Sequence, residues 1–264
     1  MAAKILTALV AVALVWLLAN IFTGALQSRF IFRASRLPEG HDFSFVAPFE
    51  QVWLERPGGV RLHGLWFRAP QSRGLVLYFH GNKGHVGRWG HLHWRFRQLG
   101  YDLALFDYRG YGLSSDRLHG HAREADLLDD ALAMYDWAAA RYAPERIVVF
   151  GRSMGTAFAT CVAAERPVGK LVLEAPFRSM PELFRSWWKL PPGLFRFRFR
   201  FDNEARLPRV QAPTLILHGT ADELVPFDHG QKLASAKKEA TFVPVPEGGH
   251  HHLWFFDRYQ QAVE

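Results

Sequence analysis

The amino-acid sequence predicts an α/β fold: a mainly parallel central sheet covered by helices on both faces. Two patterns predict it. Short apolar runs rich in β-branched or aromatic residues recur at Leu75 to Phe79, Leu103 to Phe106, Arg146 to Phe150, Lys170 to Leu173, Thr214 to Leu217 and Thr241 to Val245. Most of the intervals between them are long enough for a helix, which is what a parallel crossover requires. The clearest interval, Arg123 to Tyr142, sets Ala125, Leu128, Ala131, Leu132, Tyr135 and Ala139 on one face at helical spacing. Composition agrees, because 49% apolar and 22% charged residues in a chain of 264 suit a packed core and exclude a disordered chain. The single cysteine, Cys161, excludes an intramolecular disulfide framework and a cysteine-based zinc cluster.

The chain opens with a segment of a different kind. No charged residue falls between Ile5 and Ser28, and Ile5 to Phe22 is almost wholly Leu, Val, Ala, Ile, Trp and Phe. At about 1.5 Å per residue, about 20 such residues cross a hydrocarbon core of about 30 Å. Residues 1–36 therefore read as an N-terminal transmembrane anchor with its flank, and residues 37–264 as one body. A cleaved signal peptide is the alternative, with Lys4 as its positive region and Thr23-Gly24-Ala25 as its cleavage site. Three arginines follow the span and one lysine precedes it, which leans towards a cytoplasmic body. Next, Gln51 to Leu54 and Val60 to Phe67 flank Pro57-Gly58-Gly59, a hairpin signal.

The net charge of +7 is concentrated in two places. Residues 1–36 carry Lys4, Arg29, Arg33 and Arg36 and no acid, and residues 176–210 carry eight Lys or Arg against Glu182, Asp202 and Glu204. The rest is close to neutral, so the chain does not read as a nucleic-acid binder.

In parallel sheets ligands bind beyond the carboxyl ends of the strands. The run Arg146 to Phe150 is followed directly by Gly151-Arg152-Ser153-Met154-Gly155 and then by the helix-compatible Thr156 to Glu165. This is a Gly-x-Ser-x-Gly string in the strand–turn–helix setting of a nucleophile elbow, with glycines where the turn leaves no room for side chains. The helix amino terminus points its free N–H groups towards charge developing near Ser153. A merely structural turn is the bland reading of the same string.

With these residues in view, the chain resembles the α/β-hydrolases, in particular a membrane-anchored branch similar to monoacylglycerol lipases and serine aminopeptidases. Four motifs carry the resemblance: His80-Gly81-Asn82; Asp107-Tyr108-Arg109-Gly110-Tyr111-Gly112-Leu113-Ser114; the elbow at Ser153; and Leu217-His218-Gly219-Thr220-Ala221-Asp222 with Val225-Pro226 behind it. They span residues 75 to 252, and Gln27-Ser28-Arg29-Phe30-Ile31-Phe32 is also similar to the anchored branch. In this fold the catalytic order is Ser, then Asp or Glu, then His. That order implies Asp222 as acid and His250 as base, each in a loop at a strand's carboxyl end. Glu174 is the alternative acid. His250 opens a His250-His251-His252 run where relatives usually have one histidine, so His251 is the alternative base. The oxyanion would be held by the amide of Met154, after the nucleophile, and, by resemblance, by that of Asn82. Relatives often have a small residue after this Asn; here Lys83 follows and brings a cation near the site.

Several polar residues read as structural. His80 and His218 are expected to support their loops by hydrogen bonds, and Gly110 and Gly112 to permit positive φ in a turn. His85, His91 and His93 lack a carboxylate or cysteine at ligand spacing, so no metal is expected there, and no cofactor is implied. Residues 176–210 leave the strand–helix rhythm and resemble a short lid insertion. If extended, Phe195, Phe197, Phe199 and Phe201 fall on one face and Arg196, Arg198 and Arg200 on the other. The segment is then either a lid resting on anionic lipid or an edge whose Phe residues pack on the core.

The expectation is a membrane-anchored serine hydrolase cleaving an ester or thioester of a small-molecule or lipid-like acyl substrate through an acyl-enzyme on Ser153. A serine aminopeptidase-like peptidase and a catalytically silent membrane-associated binding module are the alternatives.

Overall fold

The computed structural model describes residues 5–7, 10, 11, 14, 16, 27–115, 118, 122–189 and 196–264. Ten strands are found among them: β1 Arg33–Ala34, β2 Phe49–Arg56, β3 Val60–Phe67, β4 Gly74–Phe79, β5 Lys83–Gly84, β6 Tyr101–Phe106, β7 Ile147–Arg152, β8 Lys170–Glu174, β9 Thr214–Gly219 and β10 Thr241–Val245. The helices are α1 Val86–Trp89, α2 His93–Gln98, α3 Glu124–Ala139, α4 Gly155–Glu165, α5 Met180–Trp188, α6 Asn203–Arg206, α7 Asp228–Ala236 and α8 Asp257–Val263.

Eight strands form one sheet in the order β10-β9-β8-β7-β4-β6-β3-β2. The pairs from β10 through β6 are parallel, whereas β3 pairs antiparallel with β6 and with β2. The antiparallel edge is the hairpin expected around Pro57-Gly58-Gly59. Every residue of β4 is buried, as a central parallel strand covered on both faces requires, which is why its sequence is continuously apolar rather than alternating. Leu127, Ala131 and Met134 of α3 and Phe158 and Val162 of α4 pack on one face of the sheet. Phe96 of α2, Tyr259 of α8 and Leu253 from the turn before α8 pack on the other.

The chain leaves β4 towards β6 on one side and then crosses to β7 on the other, so strand order reverses at β4 and β7. A crevice opens beyond the carboxyl ends of strands at such a point. His80-Gly81-Asn82 follows β4, and Ser153 follows β7, so the two motifs meet there.

Residues 27–36, grouped by sequence with the anchor and its flank, pack into the body. Ile31 and Phe32 are buried, β1 pairs with β5, and Gly112 exchanges backbone hydrogen bonds with Ser35 and Leu37 at 2.8 and 3.0 Å. The apolar span Ile5 to Phe22 lies largely outside the described residues, as does Thr23-Gly24-Ala25. Among the described residues no helix is long and apolar enough to cross a membrane.

The Phe/Arg stretch keeps its alternation but points its apolar side inward. Phe199 and Phe201 are fully buried, with ring centroids 5.0 and 6.1 Å from Phe32, and Phe201 lies 5.4 Å from Phe158. The strap is held by backbone bonding to side chains. Gln27 donates to the Arg196 carbonyl and accepts from the Arg198 N–H, both at 2.7 Å, and the Glu124 carboxylate accepts from the N–H groups of Arg200 and Phe201. These phenylalanines thus fill the core instead of lining a substrate pocket; Phe195 is outside the described residues. The part of the insertion that does cover the crevice is α5, started by Ser179, whose hydroxyl accepts from the Glu182 N–H at 3.4 Å.

Candidate active site

Ser153 sits between β7 and α4 with φ of 52°, a left-handed backbone that is costly for a residue with a Cβ. The turn is held by hydrogen bonds at both ends: Ser153 N–H donates to the Glu174 carbonyl at 2.8 Å, and the Thr156 N–H and hydroxyl donate to the Ser153 carbonyl at 3.0 and 2.6 Å. Both flanking glycines are sterically required. A Cβ on Gly155 would lie 2.0 Å from the Phe79 carbonyl oxygen, and one on Gly151 would lie 2.6 Å from the Gly155 oxygen and 2.7 Å from Ala159 Cβ.

Ser153, Asp222 and His250 come from three separate loops and meet in one chain of hydrogen bonds. His250 Nε2 lies 2.9 Å from Ser153 Oγ, and His250 Nδ1 lies 2.8 Å from Asp222 Oδ2. The other carboxylate oxygen, Oδ1, accepts from the N–H groups of Leu224 and Val225 at 2.9 and 2.8 Å. Burial pushes the Asp222 carboxyl upward, but hydrogen bonds from His218 and His250 and from the Val225 N–H together outweigh it and hold the group well below the usual carboxylate range. His218 Nε2 donates to the Val225 carbonyl at 2.9 Å and lies 3.5 Å from Asp222 Oδ2, so it braces the acid loop.

The two alternatives are placed elsewhere. His251 and His252 are exposed, and the His251 ring stands edge-on to His250 at 5.2 Å without reaching Asp222 or Ser153. Glu174 is occupied: Oε1 accepts from Arg152 Nε at 2.7 Å, and Oε2 accepts from the Tyr259 hydroxyl at 2.5 Å. Arg152 in turn donates from Nη2 to the His250 carbonyl at 2.8 Å. Sequence reasoning missed this buried Arg152–Glu174–Tyr259 network, because nothing in the spacing of positions 152, 174 and 259 signals that they meet.

Asn82 and Met154 line the cavity in front of Ser153. The Asn82 side chain donates to the Ile31 carbonyl at 3.2 Å, and its own carbonyl accepts from Arg33 N–H at 3.0 Å and the Tyr111 hydroxyl at 2.8 Å. These bonds fix the peptide, while neither the Asn82 nor the Met154 N–H donates to another described residue. His80 is buried beside them with Nδ1 2.7 Å from the Gly81 carbonyl, and burial pulls its imidazole down to about 4, so it stays neutral at pH 7.

The cavity measures about 460 Å³. Phe30, Phe177, Leu183, Phe184, Trp187 and Val225 form an apolar wall, whereas Arg29, Arg33, Lys83 and Arg88 stand at its polar side. No carboxylate lines it among the described residues. The contribution of Arg29 to Arg33 was not legible in the sequence, where these residues read as an anchor flank. The arrangement can generate a serine alkoxide equivalent beside an apolar slot, with paired N–H donors nearby.

Residues 70–201 match the family model described as serine aminopeptidase, S33. Among curated proteins, the chain is 33% identical over 261 residues to the Mycobacterium tuberculosis protein Rv2307c, covering 95% of this chain and 91% of that one. It is 32% identical over 237 residues to the lysophosphatidylserine lipase ABHD12 of Macaca fascicularis, covering 78% of this chain and 58% of the lipase. Among solved structures, the Pyrococcus furiosus esterase Pf2001 superposes with a TM-score of 0.68 at 20% identity, covering 88% of this chain and 96% of the esterase. At that identity the likeness speaks for the fold.

Proposed function

Because the chain belongs to the serine aminopeptidase, S33, family of the α/β-hydrolase superfamily, we propose that it is a serine hydrolase cleaving a carboxylic ester or thioester with an apolar acyl chain. The observation that carries this reading is the unbroken chain Ser153 Oγ, His250 Nε2, His250 Nδ1, Asp222 Oδ2 at 2.9 and 2.8 Å. Ser153 Oγ attacks the substrate carbonyl as His250 Nε2 takes its proton, and Asp222 keeps the Nδ1 proton in place and stabilises the imidazolium. The N–H groups of Asn82 and Met154 receive the oxyanion. The tetrahedral adduct collapses to an acyl-enzyme as His250 returns the proton to the leaving alcohol or thiol. Water, deprotonated by the same histidine, then releases the acid and regenerates Ser153.

The apolar wall favours an acyl chain, and a lipid ester is consistent with the lipase named among the relatives. A peptide amine is less well served, because its ammonium would enter a cavity lined by cations and no described carboxylate. Membrane association is part of the same proposal, supported by the uncharged run of residues 5–28. A fluorophosphonate probe should label the wild type covalently and leave Ser153→Ala unlabelled. A panel of p-nitrophenyl esters, acyl-thioesters and aminoacyl amides should be hydrolysed in favour of the first two. An unlabelled wild type would overturn the enzymatic reading and leave a silent binding module; preference for the amides would make it a peptidase.

A further inference from the structure

A second cavity, of about 560 Å³, adjoins the first and shares Lys83, Arg88, Trp89, Arg152 and His251 with it. The apolar end of the first cavity, from Phe177 to Trp187, contributes nothing to the second. The partition between them is Trp89, whose indole N–H donates to the Lys83 carbonyl at 2.9 Å, with the Arg152 guanidinium 5.1 Å from its ring centroid.

The walls of the second cavity are aromatic and its charge is positive. Lys83, Arg88, Arg95 and Arg152 line it against one carboxylate, Glu174, which is already bonded to Arg152 and Tyr259. Among the described residues, Lys83, Arg88 and Arg95 have no carboxylate within ion-pair distance. Arg95 is the least conventional of the three. Its guanidinium carbon lies 4.1 Å from the Trp254 ring centroid and 5.1 Å from that of Trp94, and its Nε is buried without a hydrogen-bond partner. The indole contacts favour the cation, but a half-buried guanidinium whose Nε–H has no partner is stabilised further when an anion completes it.

The position relative to Ser153 says what such an anion would be part of. If the acyl chain takes the apolar slot under α5, the side left for the other half of the ester is that of Lys83 and Arg88, which both cavities share. We propose that the second cavity is the subsite for the alcohol half of the substrate and takes a phosphate or carboxylate group borne by that alcohol, with Arg95 as its inner ligand. Guanidinium suits either group, because its planar fork of N–H donors matches two oxyanion oxygens at once. The proposal rests on the serine hydrolase reading above and adds the chemistry of the leaving group.

The test uses two soluble esters with one acyl group, 1-hexanoylglycerol and 1-hexanoylglycerol 3-phosphate, below their aggregation thresholds so that no lipid surface takes part. In the wild type the phosphate ester should have the higher kcat/KM. In Arg95→Gln, and separately in Arg88→Gln at an exposed position, the phosphate-to-neutral ratio of kcat/KM should fall by about tenfold, the size of one charge-assisted hydrogen bond. The fall should come through KM, and Arg95→Lys should recover part of it. An unchanged ratio, or an equal loss on both esters, overturns the subsite. If inorganic phosphate slows hydrolysis of the neutral ester in the wild type but not in Arg95→Gln, while the ratio stays fixed, the cavity holds a free anion and the assignment to the alcohol half is wrong. Fluorophosphonate labelling run in parallel separates the two levels: no labelling of the wild type removes the hydrolase reading itself, and labelling with an unchanged ratio removes only the subsite.

Discussion

Replacing Asp222 by Asn should reverse the hydrogen bonding of His250. Asp222 Oδ1 is held by two backbone donors, the N–H groups of Leu224 and Val225 at 2.9 and 2.8 Å. An asparagine must keep its carbonyl oxygen there, because the opposite orientation would face an NH₂ group against two N–H donors and cost about 1–3 kcal/mol for each bond lost. Its NH₂ group then occupies the Oδ2 position, 2.8 Å from His250 Nδ1, and donates where the carboxylate accepted. Nδ1 becomes the acceptor, the proton moves to Nε2, and Nε2 can no longer take the proton of Ser153 Oγ, 2.9 Å away. The fold and cavity stay in place, so the loss should fall on kcat, by about four orders of magnitude, the size expected for a wrong tautomer. That is roughly 5.4 kcal/mol in activation free energy at about 1.36 per tenfold. Glu174 cannot replace the lost acid, since Arg152 and Tyr259 occupy both of its oxygens. The assay is steady-state hydrolysis of p-nitrophenyl butyrate together with the rate of fluorophosphonate labelling, and both should drop together. A loss smaller than about tenfold would refute Asp222 as the orienting acid.

His250→Ala should lower turnover by about three or more orders of magnitude, while His251→Ala, at an exposed position, should stay within about tenfold of wild type in the same assay; the reverse result would move the base by one residue. Removing residues 1–22 should release the protein from the membrane pellet yet keep hydrolysis of a short soluble ester, since Gln27 and Ile31 to Ala34, which hold the strap and the core, are retained; a truncated protein still in the pellet would assign membrane attachment to the body. Burial holds the imidazoles of His63, His80 and His229 down to about 4 in the folded chain, whereas the unfolded chain takes up these protons near 6.5. Between these values the unfolded state binds more protons, so stability should be flat above about pH 6.5 and fall by about 1.4 kcal/mol per pH unit per histidine below it. Urea midpoints measured from pH 7.5 to 5 should show that slope, reduced in His63→Gln; a flat profile would show that these side chains take up protons in the folded state.

Much of the site was legible because its parts sit at strand ends. Ser153 directly follows β7, Asp222 and His250 lie in the loops after β9 and β10, and a parallel sheet brings these strand ends to one edge. The glycines at 151 and 155 were legible for the same local reason, a turn with no room for a Cβ. Positions whose meaning depends on contacts far along the chain were not legible. Alternation in Phe197 to Phe201 predicts two faces, but only the approach of Phe32 and Phe158 decides that the phenylalanines belong to the core.

The sequence by itself determined the main strands of the large sheet and the elbow, since these follow from local periodicity and steric need, while the Ser–Asp–His order was implied by the resemblance to α/β-hydrolases. Tertiary structure placed His250, not His251, within hydrogen-bond distance of both Ser153 and Asp222, and set Glu174 against Arg152 and Tyr259; adjacent histidines and neighbouring strand ends are indistinguishable until distances are known. It also decided that Arg29 to Arg33 turn from an anchor flank into a cavity wall, and that Arg95 lies against Trp94 and Trp254 with no described carboxylate within ion-pair distance. The physical reason is common to all of these: propensity and pattern act over a few residues, whereas ion pairing, desolvation and cavity shape depend on which segments, up to some 170 residues apart in Gln27 and Arg198, come to lie within hydrogen-bond reach.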